Sequence, residues 1–279
     1  MSKQSEPAET LLTEQEATEQ YIEFDHQQLT LRSNSPEIHE FVRETFLRML
    51  APRVEHSVGK LEVYQQPVGF TLRGRSELDF PGTAENLVDY VRHEVHFHFI
   101  EARSDLFWLH AGAVERNGKA MLISGPSGSG KSTLTTLLCG LGWRLMSDDM
   151  APIKMSSLEV LAYPQSPIRR LDSEGVDIGT HGIGTLERER VELSETDIRR
   201  EPASVGAIVF PSYRIGAKAS IYRLSQGEGA LELIRNCTNF GALKDLGVTF
   251  AAAQCESVPL FRLTFERGQE AVSLLDDLL

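Results

Sequence analysis

Residues 123–133 read ISGPSGSGKST, and no other stretch restricts the fold so closely. Gly125, Gly130, Lys131 and Ser132 fill the pattern G-x-x-x-x-G-K-[ST]. Its chemistry requires a fixed context: a strand runs in, a glycine loop turns tightly, and a helix starts at the Lys. Backbone N–H groups and the helix N-terminus then surround an anion. The flanks supply that context. Ala120–Ser124 is a short apolar run and Ser132–Leu141 reads as a helix. A loop of this kind holds nucleotide phosphates through Gly125, Pro126, Ser127, Gly128, Ser129, Gly130, Lys131, Ser132 and Thr133. Lys131 would reach the β- and γ-phosphate oxygens of ATP, and the Ser132 hydroxyl would sit on Mg²⁺. A transporter motor, a switch GTPase and a kinase all use such a loop, so the remaining residues decide where the phosphoryl group goes.

Upstream, residues 1–20 are polar and acidic and read as a disordered tail. Residues 21–104 read as a small α+β domain. YIEFDHQQLTLR suggests strands. Ser35 and Pro36 open a helix whose stripe is Ile38, Phe41, Val42, Phe46, Met49 and Leu50. KLEVYQQPVGFTLRG reads as a pair of strands, and from Thr83 a second helix carries Val88, Val91, Val95 and Phe99. From residue 105 the pattern becomes α/β. Asn117-Gly118 marks a hairpin, WRLMSDD and VGAIVFPSY read as strands, IYRL as another, and the part from Gly229 as mostly helix with a last strand at LFRLTF.

Composition narrows the functions. The net charge of −12 and the lack of a basic run argue against nucleic-acid binding. No apolar run of about 18 residues is present, so no membrane span is expected. The first residues lack an apolar segment behind a basic start, which disfavours secretion. Cys139, Cys237 and Cys255 are widely spaced and odd in number, as suits packed thiols in a reducing cytoplasm.

Asp148 and Asp149 end the segment after the phosphate-loop helix. In an open α/β sheet ligands bind at the carboxyl ends of strands, so both carboxylates should face the phosphates. One suffices as a Mg²⁺ ligand; two side by side suggest a division of labour between a metal ligand and a base. His110, taken alone, reads as a packed histidine.

The stretch HAGAVERNGKAMLISGPSGSGKSTLTTLLCGLGWRLMSDDMAPI resembles the catalytic domain of HPr kinase/phosphorylase, with its H-G … G-D-S-G-x-G-K-S … R-L-x-A-D-D arrangement. His110 precedes Gly125 by 15 residues and Asp148 follows it by 23, as in that pattern. The segments AIVFPSY and LSQGEGALELIRNCTNF are similar to the branch called HPr-kinase-related kinase A, and kinases that phosphorylate a lasso-peptide precursor look similar too. The resemblance implies a P-loop kinase domain of the HPr-kinase C-terminal type over residues 105–279. It implies Asp148 on Mg²⁺, Asp149 as the acid/base for the acceptor hydroxyl, and His110 beside that pair. It also implies a basic residue, Arg169 or Arg170, on the transferred phosphoryl group. A homo-oligomer is a further expectation, since the parent family forms hexamers.

Two departures point away from the bifunctional enzyme itself. Its Glu after the loop Ser is Thr133 here, and its P-G-R-N-type loop is absent. A kinase with another acceptor, a peptide or protein serine or a small molecule, fits better than HPr phosphorylation with phosphorolysis. The alternative is a nucleotide-dependent binding module without transfer, which would have no need of Asp149. LSQGE at Leu224–Glu228 looks like a transporter signature, but no apolar strand ending in Asp-Glu follows; it reads as a turn before a helix. An N-K-x-D motif is lacking, which disfavours a switch GTPase. His93, His96 and His98 do not form H-E-x-x-H and read as structural.

Overall fold

The computed structural model describes residues 17–171 and 187–279; the side chains of residues 168–171 and 187–190 fall outside that description. The chain divides into two compact units, one ending at Ala102 and one beginning at Arg103.

The first unit holds β1 (Thr18–Phe24), β2 (Gln27–Ser33), α1 (Pro36–Phe46), β3 (Gly59–Gln65), β4 (Phe70–Arg73), β5 (Glu77–Phe80) and α2 (Ala84–Ala102). The sheet runs β1-β2-β3-β4-β5. Only β2 and β3 pair in parallel, and α1 lies in the crossover between them, as a parallel pair requires. The Ser35 side chain accepts from the Ile38 N–H and Pro36 opens the helix, as the sequence predicts. The helix stops at Phe46, and Leu47–Met49 tightens into a 3-10 turn. Strand β1 begins at Thr18, so the expected tail overruns the sheet by a few residues; residues 1–16 lie outside the described part. On α2 the buried residues include Leu87, Val91, Val95 and Phe99. Leu87 takes the place expected for Val88, one position round the helix.

Of the three histidines of α2, His93 and His96 stand edge-on to each other with ring centroids 6.5 Å apart. His96 is buried and stands edge-on to Phe46, with its ring 6.5 Å away. His98 Nδ1 lies 2.7 Å from the Glu94 carbonyl.

The second unit comprises β6 (Leu106–Arg116), β7 (Lys119–Ser124), α3 (Lys131–Cys139), β8 (Arg144–Ser147), β9 (Met150–Lys154), β10 (Glu159–Val160), β11 (Ile168–Leu171), β12 (Glu187–Arg190), β13 (Ala203–Tyr213), β14 (Ser220–Arg223), α4 (Gln226–Arg235), α5 (Phe240–Leu243), α6 (Asp245–Ser257), β15 (Leu260–Phe265) and α7 (Gly268–Asp276). Its sheet runs β10-β9-β6-β7-β13-β15-β14, with β8 also on β6. Strand β13 is parallel to β7 and β15. The other pairings are antiparallel, so the sheet is mixed.

Asn117 and Gly118 turn the β6–β7 hairpin with φ of 54° and 80°. This backbone suits the right-handed twist of a two-residue hairpin. The turn is braced from inside: fully buried Glu115 accepts from the Gly118 N–H and from Arg144 Nε.

Helices cover both faces. One core packs Leu233, Phe250 and Ala251 against Phe107, Leu109, Ala111 and Ala113. The other packs Leu134, Leu138, Val272 and Leu275 against Val114, Met121 and Ile123. Residues of β6 therefore alternate between the cores, as the period of two requires. The three cysteines are free and buried, as expected of packed thiols. Ser225 caps α4 in a capping box with Glu228, so LSQGE is a helix start. Among the described residues no helix is long and apolar enough to cross a membrane.

Candidate functional site

The glycine loop leaves β7 at Ser124 and ends where α3 begins. Gly128 has φ 79° and Gly130 φ 97°, in the left-handed region that costs a glycine nothing and other residues strain. At Gly130 an added Cβ would also meet Phe265 Cζ at 2.6 Å. Phe265 is buried and stands edge-on to Tyr213, their centroids 6.0 Å apart. Burying such a ring contributes about 1.5–3 kcal/mol, so core packing of β15 and β13 also fixes the floor of the loop.

Lys131 is buried, and its ammonium donates to the carbonyls of Gly125 at 2.8 Å and Pro126 at 3.0 Å. Buried Ser129 has a hydroxyl without a hydrogen-bond partner among the described residues. A buried hydroxyl left so costs about 1–3 kcal/mol, and an anion seated in the loop would relieve that cost.

Ser132, in the first turn of α3, donates to Asp148 Oδ2 at 3.1 Å. Asp148 is buried. Hydroxyl and carboxylate together form the hard oxygen donor set that Mg²⁺ takes, so these two residues fit the metal expected with a nucleotide.

Asp148 and Asp149 directly follow the carboxyl end of β8, the strand after the phosphate-loop helix, as expected, but the strand is antiparallel to its neighbour rather than part of an open parallel sheet. Strands β8 and β9 both run antiparallel to β6 along one edge. The aspartates occupy the two positions between them, where Ala113 stands opposite Ser147 and His110 opposite Met150. Register is kept across the gap while the ladder opens. The Ala111 N–H still donates to the Asp149 carbonyl at 3.1 Å.

Opening the ladder has a geometric result. In a regular strand, neighbouring side chains point to opposite faces. Here Asp148 reaches Ser132 on α3, and Asp149 Oδ1 lies 3.3 Å from His110 Nδ1. His110 and Gly112 share a face of β6 by the period of two, and at Gly112 an added Cβ would meet Thr135 Oγ1 of α3 at 2.3 Å. Both carboxylates thus serve the α3 side of the sheet. Gly112 is what lets α3 come this close, and sequence reasoning did not single it out. Its signal was its place two residues after His110.

His110 is held firmly. Its Nδ1 lies 3.0 Å from the Asp149 carbonyl. Its N–H donates to the Asn236 carbonyl, and its carbonyl accepts from Ser124 Oγ. Residues Asn236–Thr238 continue the β6 edge that β7 leaves uncovered. Thr238 N–H donates to the Trp108 carbonyl, and buried Asn239 both accepts from Trp108 N–H and donates to the Leu106 carbonyl.

Behind the aspartates lies Tyr163, fully buried, edge-on to Trp108 at 5.7 Å. Burial pushes its hydroxyl well above the usual phenol range; the nearby Gln165 side chain opposes this and the Asp149 charge adds to it. Burial likewise pushes the Cys139 thiol on α3 up to about 12, with the Asp148 charge adding to it.

Arg169 and Arg170 lie on β11, paired with β12, and their side chains lie outside the described residues. The structure thus brings Lys131, Ser132, Asp148, Asp149 and His110 to one end of β7 and one edge of β6.

No family model and no curated protein matches the chain. Among solved structures the chain is similar to the Hpr(Ser) kinase/phosphatase from Coxiella burnetii, at 15% identity and a TM-score of 0.31. That likeness spans 61% of this chain and 92% of the other.

Proposed function

We propose that this chain is an ATP- and Mg²⁺-dependent kinase that transfers a phosphoryl group to an acceptor hydroxyl, on a peptide or protein serine or a small molecule. One observation carries the reading: two adjacent carboxylates are turned to the same side of the sheet, one onto Ser132 of the phosphate-loop helix and the other onto His110. A loop that merely binds nucleotide has use for the first carboxylate and none for the second.

The division of labour follows from the contacts. The loop amides and the start of α3 would hold the phosphates, and Lys131 would exchange its loop carbonyls for phosphate oxygens. Ser132 and Asp148 would hold Mg²⁺, which when bound neutralises charge on the β- and γ-phosphate oxygens. Asp149 would take the proton of the acceptor hydroxyl as that oxygen bonds to the γ-phosphorus and the bond to the β-phosphate oxygen breaks, releasing ADP. His110, against both the carbonyl and carboxylate of Asp149, would hold that base in its working orientation. Arg169 remains the residue assigned to the transferred phosphoryl group by resemblance. Alignment and charge neutralisation supply most of the rate gain in such a reaction.

The test is transfer from γ-³²P-ATP with Mg²⁺ in lysate of the source organism, comparing wild type with Asp149→Asn. A product labelled by wild type alone supports the kinase. Nucleotide binding by both proteins with no labelled product would favour a nucleotide-dependent binding module.

A further inference from the structure

We propose that Ser147 is a positioning residue for the two aspartates: its hydroxyl braces the open ladder that turns both carboxylates to the α3 side. The inference rests on the kinase reading for its consequence, but its geometry stands apart from it.

Ser147 is fully buried and its Oγ donates to the Met150 carbonyl at 2.5 Å. The bond spans Asp148 and Asp149, joining the last residue of β8 to the first of β9. Opposite Met150 stands His110, which gives its N–H to Asn236 and its carbonyl to Ser124. Ala111 and Asp149 form a hydrogen-bonded pair, so His110 and Met150 beside them form a pair of the kind that exchanges no ladder bond, and the Ser147 hydroxyl takes the Met150 carbonyl. A buried carbonyl stripped of its partner is costly, so this bond selects the open arrangement over one in which the gap slides or closes.

The flanks of the gap are held separately. Tyr163 N–H donates to the Met146 carbonyl, and Tyr163 bridges Ser147 along the outer edge of β8. On the inner side Ala111 N–H reaches the Asp149 carbonyl. Between these two ties the Ser147 hydroxyl spans the gap and is committed to the Met150 carbonyl. Its effect on chemistry must therefore pass through the aspartates.

The test compares Ser147→Ala, which removes the hydroxyl, with Ser147→Thr, which keeps it, using the full chain. The first readout is amide hydrogen exchange without nucleotide. Ser147→Ala should speed exchange at Ala111 by tenfold or more, leaving Leu122 and Ile208 within twofold of wild type. Ser147→Thr should stay near wild type. The second readout is ATP affinity with and without Mg²⁺. In Ser147→Ala the Mg²⁺ concentration for half-maximal enhancement should rise about tenfold, with metal-free affinity unchanged.

Uniformly faster exchange across β6, β7 and β13 would make Ser147 an ordinary core residue and overturn the proposal. So would an Ala111 rate within twofold of wild type. If wild type binds no ATP, the kinase reading fails, and the exchange rates still decide whether Ser147 braces the gap.

Discussion

Ser132 on α3 and Asp148 in the gap between β8 and β9 meet at 3.1 Å, so the first turn of the helix and the edge of the sheet share one oxygen cluster. Asp148→Asn should keep the hydrogen bond from Ser132 but lose the charge needed for Mg²⁺. Metal-free ATP affinity should be held, its enhancement by Mg²⁺ should vanish, and transfer should fall on the order of 10²-fold or more. Titration of ATP binding at several Mg²⁺ concentrations checks this; an unchanged Mg²⁺ response would remove Asp148 from the metal.

Asp149→Asn should spare nucleotide and metal binding while lowering transfer by about 10²–10⁴-fold, the usual worth of a general base. His110→Gln should cost less. Because the two groups act as a unit, the double variant should be little worse than Asp149→Asn alone. Additive losses in single-turnover rates would separate His110 from the base.

Gly112→Ala should push α3 away from β6. Its Cβ would lie 2.3 Å from Thr135 Oγ1, while Thr135 Cβ is 3.5 Å off. Overpacking of this kind costs about 1–3 kcal/mol. Adding Thr135→Ala should recover most of that cost, since it removes the colliding oxygen, which has no hydrogen-bond partner among the described residues. Denaturant unfolding of the two single variants and the pair gives the answer, and simple additivity would refute it.

Asp276 ties the end of α7 to Trp143 and Arg116. It accepts from Trp143 Nε1 at 2.8 Å and from Arg116 at 2.6 Å, and the Arg116 guanidinium lies 4.3 Å from the centroid of the Trp143 ring. The Trp143 hydrogen bond and then the Arg116 charge hold its carboxyl below the usual carboxylate range. A carboxyl lowered by folding contributes stability above its unfolded value, lost as pH falls through the folded one. Stability should thus drop below about pH 4, and Asp276→Asn should flatten that part of the curve. Thermal midpoints from pH 5 to 2 for the two proteins test it; parallel curves would sink the idea.

The Cys139 and Cys237 thiols, each pushed up to about 12 by burial, should be inert to iodoacetamide at pH 7, because the thiolate is the nucleophile. Mass spectrometry of the folded protein should find both unlabelled, with labelling only in denaturant. Rapid labelling in native buffer would mean that α3 or the Asn236–Asn239 segment opens readily.

Local chemistry was legible in the residues themselves. Gly130 and Lys131 announce the loop because only glycine tolerates that φ cheaply; Asn117-Gly118 announces its hairpin; Ser35-Pro36 and Ser225 announce helix starts. Each of these signals acts within about four residues, the reach of a turn or a cap. The adjacency of Asp148 and Asp149 likewise suggested two roles. The sequence could not say that β8 runs antiparallel to β6, that both carboxylates face α3, or that Ser147 spans the gap between them. It could not show that Gly112 must be small for Thr135 to pack. Those facts depend on which strands lie side by side and on how closely a helix approaches a sheet. Partners far apart in the chain set both through burial and backbone pairing, and neither leaves a periodic mark on the residues concerned.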